Sequence, residues 1–260
     1  CYRDKKLIGW ASTRIQLFVY SAGAVGDIGD PAGIDALARY TVPDKKVLEP
    51  FKDLIGYDPR SRHDIALAAI DALNAIGDPA ALPHLKRAIV SGDIPELKGF
   101  SPKFVYQARW EAARAFARLG GPAQLEEYKA LMAAEKVPDM KKKMQEFLPM
   151  LEVAKECGDQ AACYGRHLKG ADKIKAEKAA WQLGRMGKGG AAEAELIAGM
   201  KTDNIELRNS IVKSLYRVCS KKTVDAVNAQ LTAEKNRKAP EYKDAHFKMK
   251  ALRAYAGNNG

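Results

Sequence analysis

Two cysteines and a histidine are the residues whose types and spacing could do chemistry. Cys157 and Cys163 lie on either side of a Gly-Asp break between two apolar segments in KECGDQAACYGRH, and His167 follows. Zinc sites use thiolates and imidazoles, but they need four ligands at short spacing, and no fourth ligand is evident. The spacing suits a small disulfide loop at a turn between helices. We therefore expect a Cys157–Cys163 disulfide, with two free thiols and a metal site as the alternatives.

The cysteines also bear on location. A disulfide indicates an oxidising compartment. Cys1 at the first position resembles the processed end of a bacterial lipoprotein, which makes it a lipidation candidate and the only expected membrane contact. CYRDKK also echoes CYGRHLK at 163–169, which would instead indicate a piece of a longer repeat array. Both interpretations predict an exported protein, periplasmic or associated with the outer membrane; a cytoplasmic location is the alternative.

Motifs typical of enzymes and nucleotide sites are incomplete. GAVGDIG at 23–29 lacks the preceding strand that a dinucleotide loop needs, and GRMGKGG at 184–190 lacks the spacing and hydroxyl residue of a phosphate loop. The sequence has no Gly-x-Ser-x-Gly nucleophile turn. We therefore expect no catalytic residues and no bound cofactor.

The dominant pattern is a repeated Ala-rich segment that ends at one closing position. In DIALAAIDALNAIG the apolar residues recur at three- and four-residue steps, which is typical of an amphipathic helix. A glycine then favours the helix end, an aspartate can cap the next helix, and a proline fits its first turn. No long stretch alternates with period two, so the pattern predicts an all-α fold. The closing positions are Gly29, Gly77, Gly120, Gly187, Cys219 and Gly257.

Helix pairs with an apolar face on each side must stack to bury both faces. We therefore predict one α-solenoid domain over residues 1–260. The steps between successive closing positions are 48, 43, 67, 32 and 38 residues, so the repeat is interrupted. We assign the residues beyond a regular repeat length to insertions at 42–61, 91–102 and 136–170. The last insertion holds an additional helix and the cysteine-bracketed turn.

The phrases AAIDALNAIGDPAALPHL, EAARAFARLGGPAQLEEY and KAAWQLGRMGKGGAAEAEL resemble HEAT repeats of the short bacterial phycobilisome-lyase-like type. The resemblance implies an α-α superhelix of about six helical pairs that presents a concave surface to a partner. Some helical-repeat hydroxylases bind iron through His-Glu pairs, but none of the four histidines here precedes a glutamate. Phycobilin lyases carry the same repeats, yet no residue here specifically supports bilin chemistry.

The clearest candidate for a binding site is a set of charged residues that recurs at the same two positions of each repeat, which we call the column. The residues six and two positions before each closing position are four apart, so they share one helix face. The resemblance places this face on the concave side. The column is acidic in the first two repeats and basic in the next three, and solvation alone is the alternative explanation. Its candidate partner-binding residues are Asp27, Asp71, Arg114, Arg118, Trp181, Arg185, Lys213 and Arg217.

Two further arginines, Arg109 and Arg208, stand eleven residues before their closing positions. We expect each to bond carboxylates or carbonyls of the neighbouring turn, which is a structural role.

The net charge of +11 is unevenly distributed. Residues 1–130 hold 18 Lys/Arg against 16 Asp/Glu, and residues 131–260 hold 25 against 16. An excess of cations favours an anionic partner. The sequence therefore predicts a non-enzymatic scaffold in the bacterial cell envelope that binds another protein, and the excess of cations favours an acidic one. The alternatives are nucleic-acid binding by the basic C-terminal half and a bilin lyase-like or chaperone activity.

Overall fold

A computed structural model of the chain describes residues 5–49, 59–92, 102–187, 190–218 and 220–235. Within these ranges the secondary structure is helical and includes no strand. This confirms the predicted all-α fold. None of the helices in this part of the chain is both long and apolar enough to cross a bilayer.

The chain divides into two compact units, Cys1–Leu148 and Pro149–Gly260. The first holds seven described helices: α1 (Lys5–Ile28), α2 (Ile34–Ala38), α3 (Lys45–Leu48), α4 (Pro59–Ile76), α5 (Leu82–Ser91), α6 (Pro102–Leu119) and α7 (Gln124–Ala134). Helix α8 (Pro138–Cys157) runs across the boundary. The second holds α9 (Ala161–Leu168), α10 (Lys173–Arg185), α11 (Gly190–Gly199), α12 (Ile205–Val218) and α13 (Lys221–Lys235). One continuous solenoid over 1–260 stays a prediction.

In each unit, helices that end at a closing position alternate with the helices that follow those positions, as in HEAT-like repeats. In the first unit α1, α4 and α6 pack side by side in chain order, with α2 against α4 and α5 against α6. In the second unit α10 packs against α12, and α11 packs against α9, α10 and α12. Within each unit the described helices therefore pack in a HEAT-like repeat arrangement.

The Gly-Asp-Pro sequence ends one helix and caps the start of the next segment, with one difference from the prediction. Gly77 has φ +70° and so adopts the left-handed conformation that ends α4. Asp78 Oδ1 accepts a hydrogen bond from Ala80 N at 2.8 Å, which satisfies an amide at the start of the next segment. That segment is a single 3₁₀ turn, Pro79–Ala81, and the α-helix begins only at Leu82.

The predicted insertion at 136–170 contains a helix pair of its own. Helices α8 and α9 are joined by a turn in which Gly158 has φ +52° and Asp159 follows, the same Gly-Asp order as at Gly29 and Gly77. The long step between Gly120 and Gly187 therefore divides at Gly158 into two repeats. Sequence periodicity misses this repeat because α8 is poor in alanine and contains Pro149. Most of the predicted insertions at 42–61 and 91–102 lies outside the described residues.

Candidate functional site

Four residues of the charge column belong to the first unit, and they lie on three helices that pack side by side. Asp27 and Asp71 are exposed, on α1 and α4. Arg114 and Arg118 are half-buried on α6. Arg118 Nη2 donates a hydrogen bond to Asn74 O at 3.5 Å, in the last turn of α4. Arg118 therefore joins two neighbouring helices as well as facing solvent.

In the second unit Trp181 lies between two cations of its own helix. Its side chain is buried, with 5% of the residue exposed. Lys178 Nζ is 5.0 Å from the centre of the indole ring, and Arg185 Cζ is 4.9 Å from it. Both distances are within the range of cation–π attraction. Lys178 is fully buried, whereas Arg185 is exposed, so the indole holds the exposed guanidinium beside α10.

The adjacent helix α12 brings Lys213 and Arg217 to the same region. Gly184 of α10 lies against Ser214 of α12. Arg185 and Lys213 directly adjoin this contact in the chain, and both are exposed. Arg217 follows Lys213 by one helical turn and is half-buried. We call Trp181, Arg185, Lys213 and Arg217 together the α10–α12 face.

The repeat made by α8 and α9 changes the predicted charge gradient. Counting back from Gly158, the column positions are Glu152 and Glu156, and both are exposed. In chain order, an acidic repeat therefore follows the basic residues of α6 and precedes those of α10. The prediction of three successive basic repeats did not count this repeat.

Arg109 makes the structural bonds predicted for it. The side chain is buried, and Nε donates to Ile89 O at 2.6 Å. Its Nη2 pairs with Glu135 Oε2. Arg208 occupies the equivalent position in the second unit, is fully buried, and donates to Thr202 O. Arg109 bonds a carbonyl of α5 and the carboxylate of the residue that follows α7, and Arg208 bonds a carbonyl of the segment before its own helix, which confirms the prediction.

The cysteine turn brings four side chains together. Cys157, at the end of α8, and Cys163, on α9, form a disulfide with their Cα atoms 5.4 Å apart. His167 Nε2 lies 3.1 Å from Glu156 Oε1. The same glutamate oxygen is 3.9 Å from Cys163 Sγ. We call Glu156, Cys157, Cys163 and His167 the cysteine-turn cluster.

Glu156 is the member of the cysteine-turn cluster that sequence reasoning missed. It directly precedes Cys157, but a glutamate beside a cysteine is too common to indicate a site. Only the pairing of α8 with α9 shows that it reaches His167. With Glu156 the cluster has four potential ligand atoms, which the sequence alone did not reveal.

Tyr164 binds the turn between α8 and α9 through a hydrogen bond. Its hydroxyl donates to Gly158 O at 3.0 Å. Burial, with a smaller contribution from the charge of Asp159, raises the pKa of Tyr164 to about 12. The neutral hydroxyl is therefore the form that the turn holds.

Some predictions fall outside the described residues. The lipidation candidate Cys1 and the closing positions Cys219 and Gly257 lie there. The glycine-rich stretch at 23–29 is described and lies in the last turns of α1 and at its end, so no strand precedes it.

Comparison with known proteins supports the repeat assignment. A family model described as PBS lyase HEAT-like repeat matches residues 65–91, which cover most of α4 and all of α5. No curated protein sequence matches the chain. A solved structure of human deoxyhypusine hydroxylase in complex with glycerol is 16% identical, with a TM-score of 0.35, over 95% of this chain and 84% of that chain. A likeness of that size carries no argument about activity. The matched repeat and the stacked helix pairs make this chain a HEAT-like repeat protein.

Proposed function

We propose that this HEAT-like repeat protein is a non-enzymatic scaffold that binds an acidic protein partner through the α10–α12 face. The observation that carries the proposal is the position of Arg185, held over Trp181 at the surface of the second unit. A guanidinium placed by an indole loses less side-chain freedom when it binds a carboxylate than a lysine on a flexible stem would.

The other cations of the α10–α12 face favour an anionic partner, and the preceding repeat carries the opposite charge. Lys213 and Arg217 of this face lie on α12, which packs against α10. Glu152 and Glu156 stand on α8, at the equivalent positions of the preceding repeat. Because opposite charges occupy successive repeats, a partner with both acidic and basic segments would bind in one orientation.

The cell envelope is the location that we propose for this scaffold. The support is the Cys157–Cys163 disulfide, which persists in oxidising compartments. A lipid on Cys1 would tether the protein to a membrane, and intact-mass spectrometry of the native protein would detect it.

The binding proposal is tested by titrating a fluorescent peptide rich in Asp and Glu into the full chain and following its anisotropy. The double variant Arg185→Glu/Arg217→Glu should weaken binding at least tenfold. A matched control, Lys201→Glu/Lys222→Glu, makes the same charge change at two exposed residues that are not part of the face. The control should bind within twofold of the unmodified chain, because the site and not the net charge is what matters.

Two outcomes would overturn the proposal. If both double variants lose affinity equally, the peptide responds to net charge alone. If duplex DNA binds more tightly than the peptide at the same ionic strength and depends on Arg185 and Arg217, the face binds nucleic acid instead.

A further inference from the structure

We propose that the cysteine-turn cluster is a redox-gated zinc site: the disulfide closes the turn when oxidised, and Zn²⁺ closes it when the disulfide is reduced. The ligand atoms of Glu156, Cys157, Cys163 and His167 all lie within 4.8 Å of one another. This inference shares only Glu156 with the proposed binding function, and zinc binding is measured without a partner, so the two proposals can fail separately.

The four side chains match the ligands that zinc prefers. Two thiolates, an imidazole and a carboxylate are all found in tetrahedral zinc sites. Zn–S bonds of about 2.3 Å in a tetrahedral site would separate the two sulfur atoms by about 3.8 Å. Because the Cα atoms are 5.4 Å apart, side-chain rotation can provide this separation.

The two helices already hold the ligands in position. Glu156 and Cys157 are in the last turn of α8. Cys163 and His167 are four residues apart on α9 and therefore share one face of that helix. The 3.1 Å contact between His167 Nε2 and Glu156 Oε1 shows that the two non-sulfur ligands meet across the turn. Little ordering of the backbone remains to oppose metal binding.

The exchange between the two forms is balanced. A dithiol reductant supplies two electrons and two protons, the Cys157–Cys163 bond breaks to give two thiols, and the reductant becomes a disulfide. Zn²⁺ then displaces the two thiol protons and binds the thiolates, releasing two protons to solvent. In the disulfide form neither sulfur is a thiolate, so the metal loses two of its four ligands.

The test uses the full chain carrying Cys1→Ser and Cys219→Ser, so that the only thiols are those of the cluster. Zn²⁺ is titrated against a chromophoric chelator, before and after reduction. The reduced protein should bind one equivalent, and the disulfide form should bind at least a hundredfold more weakly. Co²⁺ in place of Zn²⁺ should give the near-ultraviolet absorption of a cobalt–thiolate bond.

Single variants identify the ligands. Glu156→Gln and His167→Gln should each weaken zinc binding by the reduced protein at least tenfold. Glu152→Gln, one turn earlier on α8 and also exposed, is the matched control and should leave the affinity unchanged. Helical circular dichroism of each reduced protein shows that α8 and α9 remain folded.

Any of four metal-binding results would overturn the proposal. These are no stoichiometric zinc binding after reduction, equal affinity in the two redox forms, a Co²⁺ spectrum without thiolate absorption, and equal effects of Glu152→Gln and Glu156→Gln. A reduced chain that loses its helical signal and does not regain it with Zn²⁺ would also overturn it, because the disulfide would then be the only closure that the turn accepts.

Discussion

Gly184 of α10 lies directly against Ser214 of α12. A Cβ placed on Gly184 would be 2.8 Å from Ser214 Cβ and 3.0 Å from Ser214 Cα. In the first unit Gly26 of α1 meets Ala72 of α4 in the same way, since its Cβ would be 3.0 Å from Ala72 Cα. Both glycines stand three residues before their closing position. One glycine in each unit therefore permits close contact between two neighbouring helices at this repeat position.

We expect Gly184→Ala to destabilise the protein by about 1–3 kcal/mol, because the added methyl group overpacks the contact with α12. Gly23→Ala is the matched control, since Gly23 is also inside a helix but a Cβ there would meet nothing within 4 Å. It should stabilise the protein by about 0.5–1 kcal/mol, because alanine favours the helix. Urea unfolding measures both changes, and a stabilising Gly184→Ala would show that the helices can move apart at little cost.

Arg109→Met should lower the free energy of unfolding by about 3–5 kcal/mol. The substitution leaves the Glu135 carboxylate, whose side chain is 8% exposed, without its cation. The double variant Arg109→Met/Glu135→Gln should recover part of that loss, because no buried charge remains. A double variant as unstable as the sum of the two single variants would show that the ion pair is not coupled.

Arg118 and Arg185 occupy the same repeat position, but we expect different effects from their reversal to glutamate. Arg118→Glu should cost about 1–2 kcal/mol, because it removes the hydrogen bond to Asn74 O and places a carboxylate beside that carbonyl. Arg185→Glu should cost only about 0.5–1 kcal/mol, because Arg185 is exposed and loses just its cation–π contact with Trp181. Thermal unfolding of the two variants compares them, and equal losses would contradict the distinction between a structural and a binding arginine.

Tyr164 should make stability depend on alkaline pH. Its pKa is about 12 in the folded protein, against 10.0 for the ordinary side chain, so the folded state retains the proton more tightly. The stabilisation is fully present below pH 10 and is lost as the pH rises through about 12. We expect a loss of about 1–2 kcal/mol over this window, which Tyr164→Phe should abolish. Urea unfolding at several pH values measures it, and equal pH dependence in the two proteins would contradict the assignment.

The all-α fold could be predicted from the sequence because the residues that form and end each helix are close together in the chain. The three- and four-residue apolar steps predicted the helices, and the Gly-Asp-Pro phrase predicted where they end. Gly29 and Gly77 both have positive φ, as glycine at a helix end permits. The repeat of α8 and α9 was not recognised, because its helix lacks the alanines that mark the others. The arrangement of α8 and α9 in the structure identifies this repeat, whereas their amino-acid composition does not.

The sequence by itself determined most of the helix pairs, the structural roles of Arg109 and Arg208, and the pairing of Cys157 with Cys163. Only the tertiary structure decided that α8 and α9 form a further repeat with acidic column positions, that Arg118 bonds Asn74 of the neighbouring helix, and that Glu156 meets His167. The physical reason is distance along the chain. A helix end depends on a few adjacent residues, whereas a contact between helices depends on how each pair packs against the next.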